Sequence, residues 1–270
     1  MPQNTSYLAR PEGRIAYDVS GEGTLVVLVP GMGDLRATYR FLAPFLREAG
    51  YRAACADLRG HGDSDTTFGS YGDEETAGDI IALISELGGP AVVVGNSMGA
   101  GAAVLVAAER PDLVIGLVLV GPFVRDAKTS AVARLLLRVA VTRPLVALSW
   151  RSYLPQLYAG RRPADFAEYR DRLIASLRRP GHAKAFSVTT HTSHAAAEAR
   201  LGEVSVPVLV VMGEKDPDFA DPRAESDWIA QVSGAEVVMV PDAGHYPQSQ
   251  RPDVTAEAVL GFLAKVRESA

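Results

Sequence analysis

Short apolar runs rich in β-branched residues recur along this chain between longer amphipathic stretches, and this alternation limits the possible folds more than any other feature. A strand buried on both faces reads as a continuous apolar run, and parallel neighbours need crossover connections of helical length. The clearest strands are residues 25–29, 51–56, 91–94, 114–120, 208–212 and 236–240, with helices expected over roughly 38–49, 73–87, 98–109, 223–232 and 253–267. The pattern specifies an α/β sheet with helices on both faces. Such sheets bind ligands beyond the carboxyl ends of their strands, so the residues just after each strand are where chemistry is to be sought.

The alternation breaks once, between Pro122 and about Ala199, where helix-favouring residues dominate. The chain therefore divides into a first core part, 1–121, a helical cap insertion, 122–199, and a second core part, 200–270. Residues 122–195 carry 13 Arg plus Lys against 4 Asp plus Glu, which leaves the sheet-bearing remainder strongly acidic. The plain reading is a solvated basic surface adhering to an acidic core; the functional one is attraction of an anionic substrate, with Arg134 and Arg138 on one helix face meeting its carboxylate.

Composition removes several classes of function. With 270 residues, 47% hydrophobic and 22% charged, the chain can bury a large core, and one globular domain with an insertion is expected. A formal charge of −5 without long basic runs argues against a nucleic-acid partner. The single cysteine, Cys55, makes no internal disulfide, and its apolar setting reads as a small buried side chain. The polar first 23 residues hold no apolar core of signal-peptide length, and residues 131–150 are broken by Arg134, Arg138, Arg143 and Pro144. A soluble, cytoplasmic protein with no membrane partner is expected.

After the strand ending at Val94 the chain reads Gly95-Asn96-Ser97-Met98-Gly99-Ala100 and enters a helical pattern. Small residues there permit a sharp strand-to-helix turn that exposes the Ser97 hydroxyl at a helix N-terminus. An unassisted serine is a poor nucleophile at neutral pH and needs a base with an orienting acid. Asp216 follows the strand 208–212, and His245 lies in the loop after 236–240. The order Ser, Asp, His at strand ends points to a triad in which Asp216 orients His245 and His245 deprotonates Ser97. Asp218 is the rival acid. His61 is given no catalytic role, and His191 with His194, at i, i+3 spacing, lacks a third ligand, so no metal site is assigned. The oxyanion of a tetrahedral intermediate would meet the backbone N–H groups of Met98 and, from Pro30-Gly31-Met32-Gly33, of Met32. That glycine-rich loop lacks the lysine of a phosphate cradle.

These motifs, with Asp57-Leu58-Arg59-Gly60-His61-Gly62-Asp63-Ser64 between them, resemble the α/β-hydrolase family in order and spacing over nearly the whole chain. The resemblance implies the α/β-hydrolase fold, an eight-stranded, mostly parallel sheet with an antiparallel second strand and a cap after the sixth. Many relatives have a histidine where this chain has Pro30. Ser97 stands where the epoxide hydrolases and haloalkane dehalogenases carry aspartate. The resemblance implies a serine esterase that cleaves a small-molecule carboxylic ester without a cofactor. Carbon–carbon bond hydrolysis of diketones, perhydrolysis as in cofactor-free haloperoxidases, and a ligand-receptor role are the alternatives, and Gly-Asn-Ser-Met-Gly is similar to the first. Phe123, Trp150, Tyr153 and Tyr158 are candidate pocket residues, each also readable as packing within the cap.

Overall fold

A computed structural model describes residues 5–126, 142 and 145–269. One eight-stranded sheet organises it, in the order β1-β2-β4-β3-β5-β6-β7-β8. The strands are β1 (Ser6–Arg10), β2 (Gly13–Ser20), β3 (Leu25–Val29), β4 (Arg52–Ala56), β5 (Ala91–Asn96), β6 (Val114–Val120), β7 (Val208–Gly213) and β8 (Glu236–Val240). β2 runs antiparallel to both neighbours, and the other pairings are parallel. All six strands expected from apolar runs are present; β1 and β2 complete the eight strands, with an antiparallel second one, that the family resemblance implies but that no apolar run located. They form an edge hairpin with one face in water, so polar residues interrupt their apolar pattern.

The helices are α1 (Leu42–Glu48), α2 (Asp73–Leu87), α3 (Met98–Glu109), α4 (Val146–Leu157), α5 (Phe166–Leu177), α6 (His182–Thr189), α7 (Ala195–Arg200), α8 (Pro222–Ser233), α9 (Pro247–Gln250) and α10 (Pro252–Ser269). The helix expected over 38–49 is instead a 3₁₀ turn, Arg36–Tyr39, followed by α1. Pro44 explains the split. Within one continuous helix it would remove an interior hydrogen bond, whereas in the first turn of α1 its missing N–H has no helical partner to lose. α2 opens on Asp73, Glu74 and Glu75, which complement the positive helix end, and closes on Gly88 at φ 76°. The side chain of Asp221 caps α8 by accepting from Ala224 N at 3.0 Å.

The side-chain period of two divides the core. Leu25, Val27 and Val29 of β3 face a cluster built with α2 and α3, while Val26 and Leu28 face one built with α1 and α10. Between β6 and β7 the described residues form α4 to α7 and no strand. Much of this insertion packs around Tyr158 and Phe186, in a third cluster that also takes in Leu35 and Tyr246 from the sheet-bearing part. Arg134 and Arg138 lie outside the described residues. Among the described residues no helix is long and apolar enough to cross a membrane.

Strand register sets up the site. Val29 lies opposite Gly95, Asn96 opposite Val120, Val120 opposite Val211, and Gly213 opposite Val240. The loops after β3, β5, β6, β7 and β8 therefore emerge along one edge of the sheet.

Candidate active site

Ser97 joins β5 to α3 at φ 56° and ψ −122°, a left-handed conformation rare for a residue with a side chain. Its neighbours make the turn possible: a Cβ on Gly95 would stand 2.2 Å from Gly99 O, and one on Gly99 would stand 2.6 Å from Val29 O. Ser97 N donates to Val120 O at 3.0 Å, and Ser97 O accepts from Ala100 N and Phe123 N. The residue is thereby fixed between β6 and the start of α3. Met98 begins that helix, where first-turn N–H groups lack helical partners and favour negative charge. The Pro30–Gly33 loop passes directly over the serine, since a Cβ on Gly31 would lie 2.6 Å from Ser97 Cβ. Met32, half-buried, packs from this loop against both the sheet core and the insertion.

His245 and Asp216 come together from loops after different strands, with Nδ1 2.7 Å from Asp216 Oδ2 and both side chains buried. A proton on Nδ1 donates to the carboxylate and leaves Nε2 as the free nitrogen. Burial opposes a charge on the ring, but the Asp216 carboxylate and its hydrogen bond, with Asp218 and Asp34 behind them, push the imidazole up to about 9. Asn96, the residue before Ser97, donates from Nδ2 to His245 O at 3.2 Å. Phe123, in the loop just after β6, presents its ring to His245 at 5.8 Å between centroids. These contacts bring the serine turn and the histidine loop against the same end of β6.

Gln250 holds the histidine loop in a way that the sequence did not reveal. Fully buried, it accepts on Oε1 from Gly244 N at 2.9 Å and Tyr246 N at 3.2 Å, on either side of His245. Its Nε2 donates to Ala159 O and Arg161 O in the insertion, each at 2.8 Å. A glutamine early in a C-terminal helical region carries no sequence signal for such a task.

The other candidates separate by position. Trp150 donates from Nε1 to Gly33 O at 2.8 Å, and Tyr153 donates to Asp218. Tyr158 is fully enclosed, stacked at 4.7 Å on Tyr246 and packed against Phe166, and so lies in the interior of the insertion. The helical spacing considered for His191 and His194 does not apply, because both lie in the turn between α6 and α7. His191 is exposed, whereas buried His194 places Nδ1 2.8 Å from Asp73 Oδ2. His61 is buried, and desolvation lowers its imidazole to about 4. Cys55, expected as a buried side chain, is half-buried at the sheet, and desolvation there pushes its thiol up to about 12, which disfavours the reactive thiolate.

Asp216, Asp218 and His245 place ligand-type atoms within 4.8 Å of one another, the one such group among the described residues. Its atoms are already committed, Nδ1 to Asp216 and one Asp218 oxygen to Tyr153, so the set reads as a hydrogen-bonded relay. The stretch 57–64 buttresses the core beside it. Buried Asp57 accepts from Arg36 N at 2.7 Å and Asp63 N at 2.9 Å and pairs with the Arg36 guanidinium.

Fold and site together define a class of enzyme built on strand-end loops, and comparison with known proteins gives the family. Residues 26–258 match the model of the Alpha/beta hydrolase family, and the chain belongs to it; it is a hydrolase by that membership. It is 30% identical over 261 residues to 2-(acetamidomethylene)succinate hydrolase of Mesorhizobium japonicum, covering 93% of this chain and 92% of the relative. It is 27% identical to 2-hydroxy-6-oxononadienedioate/2-hydroxy-6-oxononatrienedioate hydrolase of Comamonas testosteroni, over 93% of this chain and 91% of that one. Among solved structures it is similar to a thermophilic esterase from Thermogutta terrifontis, with a TM-score of 0.79, 25% identity, and coverage of 97% of this chain and 99% of that one.

Proposed function

We propose that this protein is a serine hydrolase that cleaves a carboxylic ester through an acyl-enzyme, with Ser97 as nucleophile, His245 as general base and Asp216 as its orienting acid. The observation that carries the reading is the buried His245–Asp216 pair at 2.7 Å, whose loop is bonded through Asn96 Nδ2 to the turn that holds Ser97 at positive φ at the start of a helix. Ser97 Oγ attacks the ester carbonyl as its proton passes to His245 Nε2. The tetrahedral oxyanion is met by the N–H groups of Met98 and Met32. The imidazolium, stabilised by Asp216, then protonates the departing alcohol, and a water activated by the same ring releases the acid. Residues 122–199 act as a cap over this edge, with Phe123, Trp150 and Tyr153 beside the substrate and Tyr158 packing the cap itself.

A fluorophosphonate probe should label Ser97, and Ser97→Ala should abolish both labelling and hydrolysis of an activated aryl ester, with an unchanged circular dichroism spectrum. Undiminished turnover in that variant refutes the assignment.

A second reading, hydrolysis of a carbon–carbon bond in a diketone, is favoured by the Gly95-Asn96-Ser97-Met98-Gly99 sequence and by the Comamonas relative, whose named substrate is of that kind. The same triad serves it. The ratio of kcat/KM for a vinylogous diketone to that for an aryl ester decides between the two.

A further inference from the structure

A second carboxylate reaches the nitrogen that Asp216 already holds. Asp218 Oδ2 lies 3.7 Å from His245 Nδ1, and Asp218 N donates to Asp216 Oδ1 at 3.1 Å, so a single turn after β7 wraps two acids around one imidazole. The other Asp218 oxygen accepts the hydroxyl of Tyr153, which belongs to α4 of the insertion. Three residues earlier on α4, Trp150 bonds to Gly33 O of the loop over Ser97, and the two rings pack at 5.8 Å. One helix therefore touches both the loop above the serine and the acid turn behind the histidine.

The surroundings favour a fixed contact. Only 17% of the Asp218 side chain is exposed. Burial, reinforced by the Asp216 charge, raises the Asp218 carboxyl, while His245 and the hydrogen bond from the phenol oppose the rise. Burial, reinforced by Asp218, holds Tyr153 well above the ordinary phenol range, so it remains a hydrogen-bond donor. The groups that bear on the His245 ring are Asp216 and Asp218 from the turn after β7, Asp34 from the loop after β3, Tyr246 from its own loop and His194 beyond Phe123. Asp34 is itself raised by burial and is bonded to Tyr169 of α5.

We propose that Asp218 is a positioning residue which, held by Tyr153, keeps a second negative charge against His245, so that the inserted helix α4 helps to decide when the imidazole can accept a proton. The proposal rests on the serine-hydrolase reading for its catalytic meaning, but not for its test. A carboxylate at this range stabilises the imidazolium and thereby strengthens His245 as a base. It also keeps the ring occupied by a proton to higher pH.

The test is an NMR titration of ¹⁵N-histidine-labelled protein, read alongside the pH profile of kcat/KM for an activated aryl ester. In Asp218→Asn the His245 midpoint should fall by about one pH unit, with the acid limb of kcat/KM moving by the same interval. Tyr153→Phe should lower the midpoint by less, and adding it to Asp218→Asn should move the midpoint no further. An unchanged midpoint in Asp218→Asn, or a Tyr153→Phe effect that persists undiminished in the Asp218→Asn background, overturns the proposal. Because the titration needs no turnover, the two readings fail separately. A midpoint that moves in a protein without Ser97-dependent turnover keeps the relay and loses the ester chemistry, and Ser97-dependent turnover with an unmoved ring does the reverse.

Discussion

Two aspartate–histidine pairs flank the same phenylalanine. His245 meets Asp216 at 2.7 Å and His194 meets Asp73 at 2.8 Å, all four side chains are buried, and the Phe123 ring lies 5.8 Å from the first imidazole and 5.6 Å from the second. Only their neighbours differ. The first pair stands beside the Ser97 turn, with Asp218 as a further carboxyl 3.7 Å from the ring. The second joins the N-terminus of α2 to the chain returning from the insertion, where His194 N and Ser193 Oγ both donate to Asp126, each at 2.7 Å. The same kind of bond that would orient the general base in the proposed reaction ties the two ends of the insertion to the core at the other place. An aspartate–histidine bond is therefore not a catalytic signature by itself; what sets the first pair apart is its link to the serine turn through Asn96, which donates to His245 O at 3.2 Å.

The sharpest way to break this contrast is to remove each imidazole. His245→Gln should lower kcat by about 10⁴-fold, while His194→Gln should leave kcat within a few-fold. Each substitution strips a buried carboxylate of its partner, so both should cost stability, on the order of 3 kcal/mol by thermal or denaturant unfolding. Equal losses of activity would place His194 in the reaction and erase the distinction.

A smaller effect follows from pH. His245 must be neutral to take a proton from Ser97, and its imidazole is raised from the ordinary 6.5 to about 9, so kcat/KM should climb with pH through about 9. Stability should move the other way. A group whose folded value is raised contributes fully below about 6.5 and loses that contribution as pH rises through about 9. A kcat/KM profile already flat above pH 7 would show that the carboxylates do not hold the ring charged.

The smallest change tests the second pair through its packing. A Cβ on Gly101 of α3 would stand 2.6 Å from Asp73 Oδ2 and 2.7 Å from Phe123 O. Gly101→Ala should cost about 1–3 kcal/mol of stability while kcat stays within a few-fold. An unchanged melting temperature would mean that the close approach of α2 to α3 does not depend on this glycine.

Much of this was legible in the chain, for different reasons at different places. The buried strands announced themselves because a strand covered on both faces must be apolar throughout, as the five buried residues of β3 are. The edge hairpin did not, since half of it meets water. Ser97 was visible because its turn admits only small neighbours, and Gly95 and Gly99 are where a larger side chain would collide with backbone. The Asp73–His194 pair was not visible, because residues 121 positions apart share no local pattern. The same holds for Tyr153 on Asp218 and for Gln250 around the histidine loop.

The sequence by itself determined the six buried strands, the serine turn and the order of Ser97, Asp216 and His245 at strand ends, because local sterics and apolar periodicity act between residues close along the chain. That a second aspartate–histidine pair forms at Asp73 and His194, and that α4 reaches Asp218 through Tyr153, was decided only by the tertiary structure. Those contacts depend on where separate loops meet at the edge of the sheet, and the packing of the whole chain sets that meeting.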